Sequence, residues 1–122
     1  MREAVAMIMT VINALIQVES GGDWKARNGD CWGGLQISSV MVEDINRFAG
    51  TKYKHEDAFY GPSAIHMALL YLDHYATAEN LGHEATVEDM AGIWRNGLAG
   101  WKREHGNMEY VERVRNLVEA GR

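Results

Sequence analysis

A single carboxylate stands at the end of the most apolar stretch of this sequence. Glu19 lies on the last turn of a predicted helix, and Gly21 and Gly22 cannot continue that helix comfortably. Burial disfavours a charged carboxyl group and raises its pKa, which a general acid requires. Glu19 is therefore the candidate acid, although an isolated Glu-Ser-Gly-Gly is more typical of a solvated helix end. The helix itself is predicted from apolar residues at three- and four-residue spacing: Val5, Ile8, Val11, Ile12, Leu15 and Ile16.

The composition describes one globular domain and excludes several functional classes. The 122 residues are 47% hydrophobic and 24% charged, which predicts a single domain over residues 1–122. A net charge of −5, with no stripe of Lys and Arg, argues against a nucleic-acid partner. The first apolar stretch includes Asn13 and Gln17 and has no small-residue cleavage site, so we expect neither a signal peptide nor stable membrane insertion.

No metal ion or other cofactor is expected. The closest histidines on one predicted helix, His66 and His74, are eight residues apart in the sequence, too far for a compact ligand pair. Cys31 is the only cysteine and has no partner for an internal disulfide. We expect it to pack as a small apolar residue before Trp32.

The elements that position Glu19 are predicted to be helices, with at most a short β-hairpin. A first helix over residues 3–19 leads into a glycine-rich segment, 20–37, with at most one short strand pair near Leu35–Ile37. An irregular segment of this length is typical of a functional loop.

The remaining helices are predicted from their start and stop signals. Ser38 or Ser39 caps the second helix, Thr86 caps the fourth and Asn107 caps the last. Residues 98–106 are expected to form a turn. The predicted helices after the first cover residues 38–50, 62–82, 86–97 and 107–118.

Four segments, in this order, resemble motifs of one enzyme family. Glu19-Ser20-Gly21-Gly22 resembles the Glu-Ser pair that ends the catalytic helix of soluble lytic transglycosylases and goose-type lysozymes. Gly33-Gly34-Leu35-Gln36-Ile37 resembles the Gly-Leu-Met-Gln segment of that family. Trp94-Arg95-Asn96-Gly97 resembles its aromatic-Asn-Gly segment, and Tyr110-Val111 its late Tyr-Val. The resemblance spans about residues 8–118.

Three positions depart from the family pattern. Arg95 stands where the family usually has Tyr before Asn, Gly34 where it often has Leu, and Asn107 where Thr is common. These changes concern contacts with the substrate more than the acid itself.

The resemblance implies a lysozyme-like fold and a cell-wall substrate. An enzyme of this kind cuts the β-1,4 bond between N-acetylmuramic acid and N-acetylglucosamine in peptidoglycan, with Glu19 as general acid and base. The Tyr110 hydroxyl would orient Glu19, and the glycines at 33 and 34 would let the backbone approach a sugar. The residues implied in substrate binding are Ser20, Gln36, Ile37, Trp94, Asn96 and Tyr110.

Some of these residues also fit purely structural roles. Gln36 is equally typical of a loop amide, and Asn96 of a turn residue beside a glycine. Tyr110 also fits a core position next to Val111, on the predicted apolar face of the last helix.

The number of carboxylates decides between two reactions. A hydrolase needs a second carboxylate as nucleophile or to activate water, and Asp30 is the best-placed candidate, followed by Asp23. A transglycosylase needs none, because the 6-hydroxyl of muramic acid attacks C1 and leaves a 1,6-anhydro end. Asp44, Glu56 and Asp57 are interpreted as charges of a helix face and a connection. Because an aspartate in a surface loop is most simply a turn residue, we favour the transglycosylase.

Other classes of function stay open. One is a non-catalytic glycan-binding or virion-structural module with the same fold, and another is a relative that acts on chitin or chitosan. The leading interpretation is a monomeric enzyme acting on peptidoglycan glycan strands, in the periplasm or outside the cell. Its small size suits a bacteriophage lysis protein or one domain of a larger protein.

Overall fold

The computed structural model describes residues 2–121. Within these residues the fold is mainly α-helical with one antiparallel two-stranded sheet, which confirms the predicted class. The elements are α1 (Arg2–Ser20), β1 (Arg27–Asn28), β2 (Cys31–Trp32), α2 (Ser39–Ala49), a 3-10 helix (His55–Phe59), α3 (Gly61–Tyr75), α4 (Ala78–Leu81), α5 (Val87–Glu104) and α6 (Met108–Ala120).

Helix α1 is the centre of the domain. It packs against α3, α5 and α6, and its side chains Val11, Ile12 and Leu15 are fully buried. By length and composition alone, residues Glu3–Ser20 could also cross a membrane, a test that the core helix of a globular protein passes as well. The buried face of α1 ends next to Glu19, which is only partly exposed.

The hairpin lies earlier in the chain than predicted. Arg27 of β1 pairs with Trp32 of β2, and residues Gly29 and Asp30 form the turn between them. Gly29 has a φ of 59°, a conformation that glycine adopts without strain. Trp32 also forms an isolated bridge with Ile37, so the predicted pairing near 35–37 exists as a single bridge.

The predicted third helix is two helices. Ala76 leaves the helical region with a ψ of 69°, so α3 ends at Tyr75. The Thr77 side chain then accepts a hydrogen bond from the Asn80 backbone N–H and starts α4. Gly82, with a φ of 81°, ends α4 at the predicted place.

Helix α5 is interrupted where the sequence predicts a break, and then continues. Gly97 has φ 75° and ψ 164°, but residues 98–104, predicted as a turn, are helical. Ser38 and Thr86 cap α2 and α5 with their side chains, as predicted. Asn107 occupies the N-cap position of α6, as predicted, but its side chain makes no capping hydrogen bond there.

Candidate active site

Two cavities of about 510 Å³ each differ in whether ionisable side chains line them. One is lined by residues of α1, α5 and α6, and none of its described lining residues is an Asp, Glu, His, Lys or Arg. The other, which we call the cleft, is formed by the end of α1, the hairpin segment, α2, α3 and α5. Its charged lining residues are Glu19, Glu43, Asp44, Arg47 and Arg95.

Glu19 is held between the core and the cleft. Burial raises the pKa of its carboxyl group above the ordinary value, while the hydrogen bond from Tyr110 and the charge of Arg95 act in the opposite direction. Because burial is the largest of these effects, the protonated form of Glu19 is favoured to a higher pH than in an exposed glutamate. A carboxyl group in this state can donate a proton to a bound substrate.

Tyr110 reaches Glu19 from α6, 91 positions further along the chain. Its hydroxyl donates to Oε2 of Glu19 at 2.5 Å. Burial and the neighbouring Glu19 carboxylate both raise the pKa of Tyr110 far above its ordinary value, so the phenol stays a donor. The structure therefore brings the Tyr110 hydroxyl into contact with the Glu19 carboxyl.

Two aromatic rings pack edge to face in the wall of the cleft. Trp94 and Tyr71 both line it, with ring centroids 5.5 Å apart and planes at 87°. Burial, followed by the charge of Asp44, raises the pKa of Tyr71 to about 12. Both residues are more than nine-tenths buried, so little of either ring is open to the cleft.

Gln36 lines the cleft, but its amide is bonded within the loop. Its Nε2 donates to the Gly33 carbonyl at 2.9 Å, and its Oε1 accepts from Asn28 at 2.8 Å. The backbone of Gln36 has a φ of 55°, which is rare for a residue other than glycine. The side chain thus holds the loop in this conformation at the edge of the cleft.

Ser20 ties the end of α1 to the same loop. Its Oγ donates to the Gly34 carbonyl at 2.8 Å and accepts from the backbone N–H groups of Gly22 and Asp23. Ser20 is not among the residues that line the cleft. Its contacts position the loop beside Glu19.

The paired glycines are required by packing inside the protein. A Cβ on Gly33 would lie 1.9 Å from the Ala58 carbonyl oxygen, and one on Gly34 would lie 2.6 Å from the Trp24 ring. Neither glycine is among the cleft-lining residues, although the resemblance implies a close approach to sugar there.

Asp30 lies outside the cleft, on the turn of the hairpin. Its Oδ2 accepts from the backbone N–H and the hydroxyl of Ser39, at 3.0 and 2.8 Å. These hydrogen bonds lower the pKa of Asp30. Asp23 is exposed and accepts from the Lys25 backbone N–H at 2.9 Å. Both aspartates serve local turn and cap geometry.

Ile37 and Asn96 also lie away from the cleft lining. Ile37 is fully buried in the core. Asn96 donates to the carbonyl groups of Gly92 and Gly106, both at 3.1 Å, and accepts from Asn107 at 2.6 Å. Of the residues predicted to bind substrate, Gln36 and Trp94 line the cleft, while Tyr110 contacts Glu19.

Asp44 is the cleft residue that the sequence interpretation underestimates. Its Oδ2 accepts from the Tyr75 hydroxyl at 2.5 Å, its Oδ1 contacts the Arg47 guanidinium, and its side chain is 20% exposed. The sequence feature that indicates such contacts is the position of Asp44 on α2. It lies three residues after Met41 and four before Phe48, on the edge of the apolar stripe. A carboxylate there faces other elements as well as solvent.

The described residues contain no group of three or more His, Cys, Asp or Glu side chains that could hold a metal ion. Cys31 is partly exposed and lines the cleft. His55 stacks on Trp32 at 3.6 Å, and His74 stacks on Phe48 at 3.8 Å. These two histidines pack against neighbouring rings.

Comparison with known proteins yields no relative. No protein-family model, curated protein or solved structure matches the chain. The functional assignment therefore depends on the geometry of the cleft and on the motif resemblance.

Proposed function

We propose that this protein is a peptidoglycan-cleaving glycosidase with Glu19 as its general acid and base. The bond it cuts is the β-1,4 linkage between N-acetylmuramic acid and N-acetylglucosamine. The observation that carries the proposal is the partly buried carboxyl of Glu19, at the wall of a 510 Å³ cleft and bonded by the Tyr110 hydroxyl. The order of the four motifs along the chain supports the same class of substrate.

The two carboxyl oxygens of Glu19 have different roles in the proposed reaction. Tyr110 occupies Oε2, which leaves Oε1 to carry the proton. Glu19 donates this proton to the glycosidic oxygen as the bond from that oxygen to C1 breaks and positive charge develops at C1. The Glu19 carboxylate then accepts the proton of the attacking hydroxyl as the new bond to C1 forms.

We propose that the attacking group is the 6-hydroxyl of the muramic acid itself, which gives a 1,6-anhydro product. The location of Asp30, the best-placed candidate for a second carboxylate in the sequence, supports this choice. Asp30 bonds to Ser39 and is not among the cleft-lining residues, so it is poorly placed to activate a water molecule there.

One observation favours hydrolysis as a second candidate. Asp44 lines the same cleft as Glu19, and its carboxylate is fixed by Tyr75 and Arg47. In an inverting hydrolase such a group takes a proton from water as the water oxygen bonds to C1. The products distinguish the two reactions, because hydrolysis leaves a reducing end.

The test of the proposed function is the clearing of a purified peptidoglycan suspension by wild type and by Glu19→Gln. We expect wild type to reduce the turbidity and Glu19→Gln to be slower by about 10²–10⁴-fold, the usual contribution of a general acid. Co-sedimentation should show that both proteins still bind the glycan. Equal rates for the two proteins would contradict the role of Glu19, and binding without clearing by wild type would indicate a glycan-binding module.

A further inference from the structure

Arg95 extends from α5 into the cleft beside the candidate acid. It is exposed and lies between Trp94, which is buried, and Asn96. Its guanidinium carbon lies 5.5 Å from the centroid of the Tyr110 ring, within the range of a cation–π contact. The same ring carries the hydroxyl that donates to Glu19. Arg95, Tyr110 and Glu19 thus form one connected group.

The relative position of Arg95 and Tyr110 is fixed by the neighbouring asparagines. Asn96 donates to the Gly106 carbonyl at 3.1 Å and accepts from Asn107 at 2.6 Å. These bonds join the middle of α5 to the residues that start α6. Arg95 directly precedes this link and Tyr110 follows it by three residues, so the link holds the two backbone segments that carry these side chains next to each other.

The titratable and charged groups around Glu19 come from five elements: α2, α3, α5, α6 and β2. Tyr110 and Arg95 act on Glu19 directly, and both lower its pKa against the larger, opposing effect of burial. Arg113 of α6 acts on Tyr110, as Arg95 does. The other titratable or charged groups that share the cleft are Glu43, Asp44 and Arg47 of α2, Tyr71 of α3 and Cys31 of β2.

We propose that Arg95 is a positioning residue for Glu19: its guanidinium, held over the Tyr110 ring, stabilises the carboxylate that remains after Glu19 has given up its proton. This inference rests on the proposed function, in which Glu19 acts first as acid and then as base. Burial alone favours the acid and makes the carboxylate costly. The nearby Arg95 cation offsets the free-energy cost of the Glu19 carboxylate. Glu19 can therefore act as the acid in the first step and as the base in the second.

The decisive experiment titrates Glu19 without any substrate. The carboxyl carbon of Glu19 is followed by carbon-13 NMR as a function of pH in wild type, Arg95→Gln, Arg95→Lys and Arg113→Gln, with Glu19→Gln to assign the signal. We expect the pKa of Glu19 to rise in Arg95→Gln and to return toward the wild-type value in Arg95→Lys. Arg113→Gln is the matched control, because Arg113 acts on Tyr110 from α6, and it should leave Glu19 nearly unchanged.

Two further readouts separate this role from simple packing. The difference between wild type and Arg95→Gln should shrink in high salt, because Arg95 is exposed and its charge is screened. On peptidoglycan, the alkaline limb of the pH–rate profile of Arg95→Gln should move to higher pH. A Glu19 titration that is the same in wild type and Arg95→Gln overturns the inference. If no variant cleaves peptidoglycan but the titration shifts, the proposed function fails while the role of Arg95 on Glu19 stands.

Discussion

At the scale of single residues, the surroundings of Glu19 combine opposing effects. Burial favours the neutral carboxyl group, while Tyr110 and Arg95 favour the carboxylate. A group that must lose and regain a proton in one reaction cycle needs both forms to be accessible near the working pH. Tyr110 links Arg95 to Glu19, because its hydroxyl contacts Glu19 and its ring contacts Arg95.

A comparison of Asp44→Asn with Asp30→Asn tests whether a second carboxylate takes part in the reaction. Under the proposed transglycosylase reaction, we expect both variants to keep kcat within about tenfold of wild type and to give anhydro ends, since neither carboxylate moves a proton. The measurement is kcat on soluble glycan fragments, with the ends of the products identified by mass spectrometry.

A different result would reassign the reaction. If Asp44→Asn lost more than about 10²-fold in kcat while Asp30→Asn kept its activity, and wild type gave reducing ends, Asp44 would be the base of a hydrolase. Asn retains an oxygen that can accept from Tyr75, so the comparison changes the charge more than the shape.

At the scale of elements, the glycine-rich segment is a packed unit joined to α1 and α2. Ser20 bonds to the Gly34 carbonyl, and Asp30 bonds to Ser39 at the start of α2. Gly33 has a φ of 81° and lies against the Ala58 carbonyl. The segment therefore sets the edge of the cleft through contacts within the protein.

Gly33→Ala tests this packing, with Gly29→Ala as its control. Both glycines have positive φ, but a Cβ on Gly29 meets no atom within 4 Å, whereas on Gly33 it meets Ala58 at 1.9 Å. We expect Gly29→Ala to cost about 1 kcal/mol in unfolding free energy, and Gly33→Ala about 3 kcal/mol or more, because a clash adds to the strain. Urea denaturation followed by circular dichroism measures both, and equal losses would contradict the account.

The helices were predictable where an apolar period and a local cap coincide. Ser38 and Thr86 are examples, since each bonds to the backbone three residues later. The split after Tyr75 was missed because Ala76 and Thr77 are compatible with a continuing helix, and Thr77 caps α4 only once the chain has turned. Asn107 was assigned as a cap from its type, but its amide is bonded to Asn96, a contact between elements.

The candidate site was predictable only in part, for a similar reason. Glu19 follows from a helix pattern and its end, which are local. Asp44 and Arg95 enter the cleft through the packing of α2 and α5, and sequence spacing does not determine that packing. Asn96, which belongs to one of the resembling motifs, bonds to backbone carbonyl groups within the protein. Sequence does not predict this, because a short polar side chain bonds equally well to backbone or to a ligand.

At the scale of the whole molecule, we expect the partly buried carboxyl group of Glu19 to affect the stability of the fold. The pKa of Glu19 is raised in the folded state, so its contribution to stability is fully present below the unfolded pKa and is lost as pH rises through the folded pKa. We expect Glu19→Gln to melt at a higher temperature than wild type at neutral pH. This gain should shrink as the pH falls through the raised folded pKa of Glu19, and should be gone below its ordinary value of 4.5.

The control is Glu112→Gln, which neutralises an exposed carboxylate on α6. Its melting temperature should stay close to that of wild type throughout the same pH series, since exposed charges contribute little to stability. A gain for Glu19→Gln that is the same at every pH, or a loss at neutral pH, would show that the carboxylate of Glu19 is not costly in the fold.

The most direct test of the central claim is mass spectrometry of the fragments that wild type and Glu19→Gln release from purified peptidoglycan. The proposed reaction predicts 1,6-anhydro muropeptides from wild type and essentially none from Glu19→Gln, with both proteins folded. Anhydro fragments released equally by both proteins, or no fragments from folded wild type, would contradict it.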